Sequence, residues 1–468
     1  MAELSIDVIR EAAGYLASWL SYRQWLLRIP GVQAAVLFGD QMVLSEAFGQ
    51  ADVENGTPLS ITHLFRVASH SKTFTATAVL QLTETGRLRL DDTLGSWLPF
   101  LTEPSSPLAA LTLRDLLQHS GGVTRDGWDA DFWQLHGEFP DAAALRTAAL
   151  DQAQVLPAND RFKYSNVGYS LLGLVVEAAS GRSYADYVTT EIVQRLDLRR
   201  TGPELDPARS GEYVVGYSSL DYARDRTPIA PVDTQAMAAA TGFYSTAEDL
   251  CRYVAAHFTG DTRLLGEPAK RLMQHQWWPV EGQPDGGYGL GMAVQKAGER
   301  TLLGHGGGFP GQATRTVFDP ADRLAVAVLT NAIDGPPNEL ALGLVRLLDL
   351  AAAQQPDPAG GVERFPVRLA NLWGVRDVAL LGGRLLLLDP TAVDPTSDGT
   401  YGELAVESPT RLRLVSGPGY DAVGEAMDFT FAADGAVESV RAAGGLTWWP
   451  LEAYRGWPGG QLSSSVES

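Results

Sequence analysis

The sequence predicts an α+β protein: an antiparallel sheet flanked by helices, with an all-helical lobe, followed by a small antiparallel β-barrel domain. Three observations predict it. Strand-like segments at Gly289–Val294, Arg300–Gly304, Gln312–Phe318 and Leu324–Leu329 read as an antiparallel meander. Several apolar helical runs come before them. Beyond residue 363 the character changes to short apolar runs separated by turns such as Leu381-Gly382-Gly383-Arg384, Ser397-Asp398-Gly399 and Ala433-Asp434-Gly435, the spacing of a small barrel or sandwich.

Taken in order, Ile9, Ala12, Ala13, Leu16, Trp19 and Leu20 recur at helical spacing and predict a helix over about 5–28, ending before Pro30-Gly31. Val32–Leu37 and Met42–Glu46 flank Gly39-Asp40 and predict a β-hairpin, with a polar loop running to about Leu64. A helix opened by Ser69 should end at Gly86, followed by a proline-bounded turn at Pro104-Ser105-Ser106-Pro107. Thr112 to Asp115 resembles a capping box, and Gly121-Gly122 reads as the C-cap of the helix it starts, with His119 a hydrogen-bonding structural residue beside that cap. Trp128, Phe132, Trp133 and Phe139 lie in the expected helical lobe, about 125–160. A loop from Arg161 leads to a helix ending near Ser180-Gly181, and residues 200–240 look irregular. Ser245-Thr246-Ala247-Glu248 reads as a capping box for the next helix, and a helix from Pro337 to Ala353 closes the first domain, packing with the N-terminal helix on the sheet. The expected division is 1–355, a linker at 356–362, a β-domain at 363–458 with Trp373, Trp448 and Trp449 in its core, and a polar, disordered tail at 459–468.

Composition narrows the class of function. The 468 residues carry a net charge of −20 without any Lys/Arg-rich run, so nucleic acid and anionic membrane surfaces are not expected partners. One cysteine, Cys251, excludes an intrachain disulfide and a Cys-based zinc cluster, and reads as a buried apolar residue. Charges are spread through the first eleven residues and no stretch is apolar for long enough to span a bilayer; the expected location is cytoplasmic.

The chemistry gathers around Arg66-Val67-Ala68-Ser69-His70-Ser71-Lys72. At the start of a helix, Ser69 and Lys72 share a face, so a hydroxyl that needs a base lies beside an amine that desolvation can turn into one. The chain has only four lysines, Lys72, Lys163, Lys270 and Lys296, and Lys72 alone has a serine three residues before it. Its neighbours Phe74, Ala76, Val79 and Leu80 are too apolar for a surface helix. The chain's single Tyr-x-Asn, Tyr164 and Asn166, presents a phenol and an amide on one side of a loop. Near an ammonium that phenol could lose its proton below its usual pKa and relay protons, while the amide orients a substrate carbonyl or the lysine.

The glycine run His305-Gly306-Gly307-Gly308-Phe309-Pro310-Gly311 admits three readings. A dinucleotide fingerprint fails because a strand follows rather than a helix. A lipase oxyanion loop fails because the chain has no Gly-x-Ser-x-Gly. The third is a strand edge where missing side chains let a substrate backbone approach, with a cationic or hydrogen-bonding His305 beside it and a backbone N–H facing a developing oxyanion.

Ser69-x-x-Lys72, Tyr164-x-Asn166 and His305-x-Gly307, in that order and in helical, loop and strand contexts, resemble the serine β-lactamase and DD-peptidase superfamily, on the branch of class C β-lactamases, D-aminopeptidases, DD-carboxypeptidases and related esterases. The likeness spans about residues 5–350. It implies a serine hydrolase acting through an acyl-enzyme on small amides, peptides, including those with D-amino acids, or esters. β-Lactam or DD-carboxypeptidase activity, or a catalytically silent penicillin-binding scaffold, are the alternatives. By resemblance Ser69 is the nucleophile, Lys72 and Tyr164 handle its proton, Asn166, His305 and Gly307 bind substrate, and the backbone N–H groups of Ser69 and Gly308 form the oxyanion hole. Whether Lys72 or Tyr164 is the base is left open. No cofactor or metal is implied, the partner is a small molecule or short peptide, and oligomeric state is not addressed. Two departures stand out: His305 replaces the lysine many relatives carry, and Gly306 replaces the following threonine, which implies weaker selection for a free carboxylate. The appended β-domain resembles small barrels that shape the cleft or mediate assembly in relatives.

Overall fold

Residues 27–341 fold as one compact unit, and residues 1–26 with 342–468 as a second. The computed structural model describes residues 4–103, 105–150, 153–283, 285–353, 361–397, 399–417 and 422–454. Most of the expected linker, the tail, Pro104 and the Asp398 turn position lie outside the described residues.

The first unit is built on a nine-stranded antiparallel sheet. In chain order its strands are β1 (Gly31–Phe38), β2 (Gln41–Asp52), β3 (Thr57–Pro58), β4 (Trp278–Pro279), β5 (Gly286–Tyr288), β6 (Ala293–Ala297), β7 (Arg300–Phe309), β8 (Gln312–Asp319) and β9 (Leu324–Thr330). In space they run β3-β2-β1-β9-β8-β7-β6-β5-β4. The centre is β1 paired with β9, Val36 opposite Val326 and Ala35 opposite Ala327. Both strands are apolar almost throughout and β9 is buried at every residue, as continuous rather than alternating hydrophobicity requires. The β1–β2 hairpin turns at Gly39, whose φ of +63° suits a residue without Cβ.

Strand β7 extends further than its apolar run suggests. The glycines continue it to Phe309 rather than forming a loop. Only Arg300 to Gly304 pair with β6, so His305–Phe309 runs on with β8 alone beside it, a local edge on an otherwise interior strand. Two buried helices complete the site's support, α1 (Ser71–Glu84) and α2 (Asn166–Ser180), which pack together. Residues Ser71 through Leu82 of α1 are all buried, including Lys72. A helix buried on all sides has no solvent face to offer, so its polar side chains must find partners within the protein.

Two caps differ from expectation. The helix opened by the Thr112–Asp115 capping box is only Leu113–Leu117, and the left-handed residue after it is His119, φ +58°, not a glycine. Thr246 rather than Ser245 caps the Ala247–Ala255 helix, its hydroxyl accepting from the Asp249 N–H, because Ser245 is already paired in a short strand with Phe65.

In the second unit the helices Ile6–Leu26 and Pro337–Ala352, the latter crossing the unit boundary, meet where a Cβ on Gly343 would stand 2.4 Å from the Trp19 ring. The β-domain is a closed barrel of eight strands from Val367–Asn371 to Thr447–Pro450, closed by Leu369 opposite Pro450 and Ala370 opposite Trp449. Its interior is Phe365, Leu369, Leu385, Leu412, Leu414, Phe429 and Val440. Of the tryptophans expected there, Trp448 packs half-buried against this core, Trp449 is half-buried, and Trp373 is 81% exposed on a turn.

Candidate active site

Ser69 sits not in the first turn of α1 but in a single 3₁₀ turn, Ala68–His70, leading into it. Ala68 has φ +45°, an unfavourable value for a residue with Cβ, held because the turn is pinned on several sides. The Val67 N–H donates to the Phe243 carbonyl (2.9 Å), the Ser71 hydroxyl to the Ala68 carbonyl (2.6 Å), and the Phe243 N–H to the Ser71 hydroxyl (3.0 Å). His70 ties the turn to the sheet: Nδ1 donates to the Val67 carbonyl (2.8 Å) and Nε2 accepts from the Thr316 hydroxyl (3.0 Å). Burial pushes its pKa down to about 4, consistent with a neutral ring making one bond of each kind.

The Lys72 Nζ has three neighbours: the Asn166 Oδ1 at 2.7 Å, the Ala240 carbonyl at 2.8 Å and the Ser69 Oγ at 3.2 Å. Three acceptors suit an ammonium, whereas complete burial favours the free amine. Among the described residues no carboxylate touches it, and desolvation holds its pKa well below the usual lysine value. As an ammonium Lys72 donates to all three; as a free amine, with two N–H groups and one lone pair, it would give the N–H groups to the amide and backbone oxygens, which can only accept, and turn the lone pair to the Ser69 hydroxyl.

Tyr164 completes the contact, its hydroxyl donating to the Ser69 Oγ at 2.8 Å. The expectation that this phenol ionises easily is corrected: burial pushes its pKa up, outweighing the bond to Ser69. The loop carrying it is gripped by His119 from both sides. The Lys163 N–H donates to the His119 carbonyl (2.7 Å), the Ser165 N–H to the His119 Nδ1 (3.1 Å), and the two rings lie 4.4 Å apart. Asn166 is the first residue of α2, with Ser165 as its N-cap. Both ends of its amide are occupied, Oδ1 by Lys72 and Nδ2 by the Asp126 carboxylate (2.6 Å).

His305 lies near Tyr164, with ring centroids 6.4 Å apart. Its Nδ1 donates to the Gly306 carbonyl (2.6 Å) and its Nε2 accepts from the Tyr288 hydroxyl (3.0 Å). Burial holds its pKa well below 6.5, so of the two roles open to it the hydrogen-bonding one is realised and the cationic one is not. Gly307 backs onto the serine turn: a Cβ there would stand 2.2 Å from the Val67 carbonyl oxygen. The protein's own backbone fills the space that glycine leaves. Nothing lies within 4 Å of a Cβ built on Gly308, one residue further along β7.

Sequence reasoning placed Ser69, Lys72, Tyr164, Asn166 and His305 in one site, and the structure brings all five together. It missed the Ala240 carbonyl, Asp126, the His70 brace and Tyr288. A backbone oxygen has no sequence signal, and Asp126 is one acidic residue among 56. Asp126 also lines a cavity of about 470 Å³ with Trp128, Phe132, His136, Val167 and Met237. Among the described residues no three His, Cys, Asp or Glu side chains converge as a metal site, and no helix is long and apolar enough to cross a membrane.

The β-lactamase family model matches residues 18–350 of the chain. Penicillin-binding protein 4* of Bacillus subtilis is 27% identical over 402 residues, covering 80% of this chain and 84% of that protein. The octameric penicillin-binding protein homologue from Pyrococcus abyssi matches with a TM-score of 0.65 at 22% identity, over 91% of this chain and 97% of that one. A D-stereospecific amidohydrolase from Streptomyces matches with a TM-score of 0.60 at 24% identity, over 70% of this chain and 97% of its own. At such identities the two structures bear on the fold alone.

Proposed function

We propose, from the premise that this chain belongs to the β-lactamase family, that it is a serine hydrolase cleaving small amides, short peptides or esters through an acyl-enzyme on Ser69. The observation that carries the reading is the buried Lys72 Nζ lying 3.2 Å from the Ser69 Oγ, with two fixed acceptors, Asn166 Oδ1 and the Ala240 carbonyl, to hold its N–H groups once it is a free amine. Lys72 takes the Ser69 proton as the oxygen attacks the substrate carbonyl. The oxyanion is met by the backbone N–H groups of Ser69 and Gly308. As the C–N or C–O bond breaks, Tyr164, kept protonated by its raised pKa, gives its proton to the leaving amine or alcohol, and the Lys72 ammonium restores it. Water then attacks the ester, one of the same two groups taking its proton, and acid and free Ser69 are released.

The substrate side follows from His305. A neutral imidazole with both nitrogens engaged supplies no fixed positive charge for a free carboxylate, which favours amide and ester substrates over those that a carboxylate anchors. The D-stereospecific amidohydrolase among the fold neighbours suggests D-amino-acid amides and peptides for the first panel. Penicillin binding is the second reading, favoured by the likeness to penicillin-binding protein 4*. Incubation with a p-nitrophenyl ester, a D-alanyl amide and a fluorescent penicillin, followed by peptide mass spectrometry, separates them. A Ser69 adduct that turns over with ester or amide supports hydrolysis. A lasting penicillin adduct without turnover of either supports a silent penicillin-binding protein. Label elsewhere than Ser69, or undiminished turnover by Ser69→Ala, overturns the mechanism.

A further inference from the structure

Lys72 is faced by Tyr164 and Tyr169 from the 161–180 stretch, by His119 and His305, and by the neighbouring Arg125 and Asp126. Asp126 is the only carboxylate in that set, and it reaches the lysine through Asn166. An amide side chain can be turned about to exchange its oxygen and nitrogen, and which way it lies is decided by its partners. Here one partner permits no choice. The carboxylate of Asp126 can only accept, so the Asn166 Nδ2 must face it and the Oδ1 must face Lys72. Turned about, the amide would set oxygen against carboxylate oxygen and aim an N–H at the lysine, which would answer with its lone pair. The Ser69 hydroxyl would then lose its base.

Asp126 is itself held in place. Its Oδ1 also accepts from the Trp133 indole N–H at 3.0 Å, and its Oδ2 pairs with the Arg125 Nε at 3.2 Å. The segment carrying it is fastened to the start of α2, where the Asn166 N–H donates to the Arg125 carbonyl (2.8 Å) and the Ser165 hydroxyl to the Thr124 carbonyl (2.7 Å). Its side chain is 9% exposed, so water offers little substitute for these partners. We infer that Asp126 is a positioning residue for the proposed acylation: by locking the Asn166 amide in one orientation it reserves the Lys72 lone pair for Ser69. The inference rests on the Ser69–Lys72 reading above.

Two substitutions separate orientation from charge. Asp126→Asn can still present an oxygen to Asn166 and Trp133 but has no charge, whereas Asp126→Leu removes the acceptor. The readouts are kcat and KM for a short p-nitrophenyl ester across pH, and the Ser69 adduct by mass spectrometry, on full-length protein checked by melting temperature. Asp126→Leu should lower kcat about a hundredfold with KM within twofold, and Asp126→Asn should recover most of it. The charge of Asp126 favours the ammonium, so its loss should move the acid limb of kcat/KM for Asp126→Asn to lower pH. Should Asp126→Leu fail to fold, Asp126→Ala, which also removes the acceptor, takes its place. A folded variant without the acceptor that acylates Ser69 at the wild-type rate overturns the inference and leaves the Ser69 reading intact. Failure of the wild-type protein to acylate at Ser69 would instead remove that reading.

Discussion

Gly307→Ala offers the sharpest test of how Ser69 and β7 cooperate. The added methyl would stand 2.2 Å from the Val67 carbonyl oxygen, 2.5 Å from the Thr314 hydroxyl oxygen and 2.9 Å from the Val67 carbonyl carbon. The hydroxyl can rotate away, but the carbonyl belongs to the turn that carries Ser69 and already accepts from His70. Ordinary contact begins near ~3.4 Å, so strand and turn must separate by about 1 Å. Ser69 lies on one side of that separation and Gly308 on the other. A misplacement of about 1 Å costs about a hundredfold in rate, and outright loss of one oxyanion donor about 10² to 10³, or ~3–4 kcal/mol. Overpacking should cost about 1–3 kcal/mol of stability as well. Gly306→Ala is the matched control, since its Cβ would meet nothing closer than 3.6 Å. The assay is burst and steady-state hydrolysis of a p-nitrophenyl ester beside thermal melting of both variants. A folded Gly307→Ala enzyme with kcat/KM within threefold of wild type would refute the idea that the serine turn and this strand must touch for the oxyanion hole to form.

Further outcomes follow from the same geometry. Lys72→Arg should abolish acylation, because a guanidinium has no lone pair to offer at any working pH, a loss of about 10² to 10⁴ in rate read by the Ser69 adduct. Lys72→Met should end acylation yet raise the melting temperature near neutral pH. The lysine's folded-state pKa lies below its unfolded one, so the unfolded chain binds the extra proton; the wild type gains stability as pH rises, and the gap should narrow toward the ordinary lysine pKa of ~10.4. His119→Phe strands the buried Ser165 N–H at a cost of about 1–3 kcal/mol and loosens Tyr164, whereas His119→Asn keeps an acceptor and tolerates the left-handed φ; ester kinetics and melting should rank Asn well above Phe. In the barrel, Leu412→Ala should cost about 2–5 kcal/mol by denaturant titration, and Trp373→Ser should fall within about 0.5 kcal/mol of wild type.

The sequence alone determined the elements whose signal is local. Apolar runs placed the β1–β2 hairpin and strands β8 and β9, helical spacing placed the Ile6–Leu26 and Pro337–Ala352 helices, and three short motifs named the five side chains that meet in the site. Those motifs could be read because each keeps its chemistry within a few residues, Ser69 with Lys72 and Tyr164 with Asn166. The tertiary structure decided how the groups are charged and which way they point. Desolvation, which depends on everything packed around a group, lowers the Lys72 pKa and raises that of Tyr164, so nearness to an ammonium suggested an easily ionised phenol where burial produces the reverse. Gly307 is glycine because a backbone 240 residues earlier in the chain presses against it, at Val67. Asp126, bound to the Asn166 amide, and the Ala240 carbonyl, bound to Lys72, come from segments with no periodicity or motif to mark them, and only folding brings them to the site.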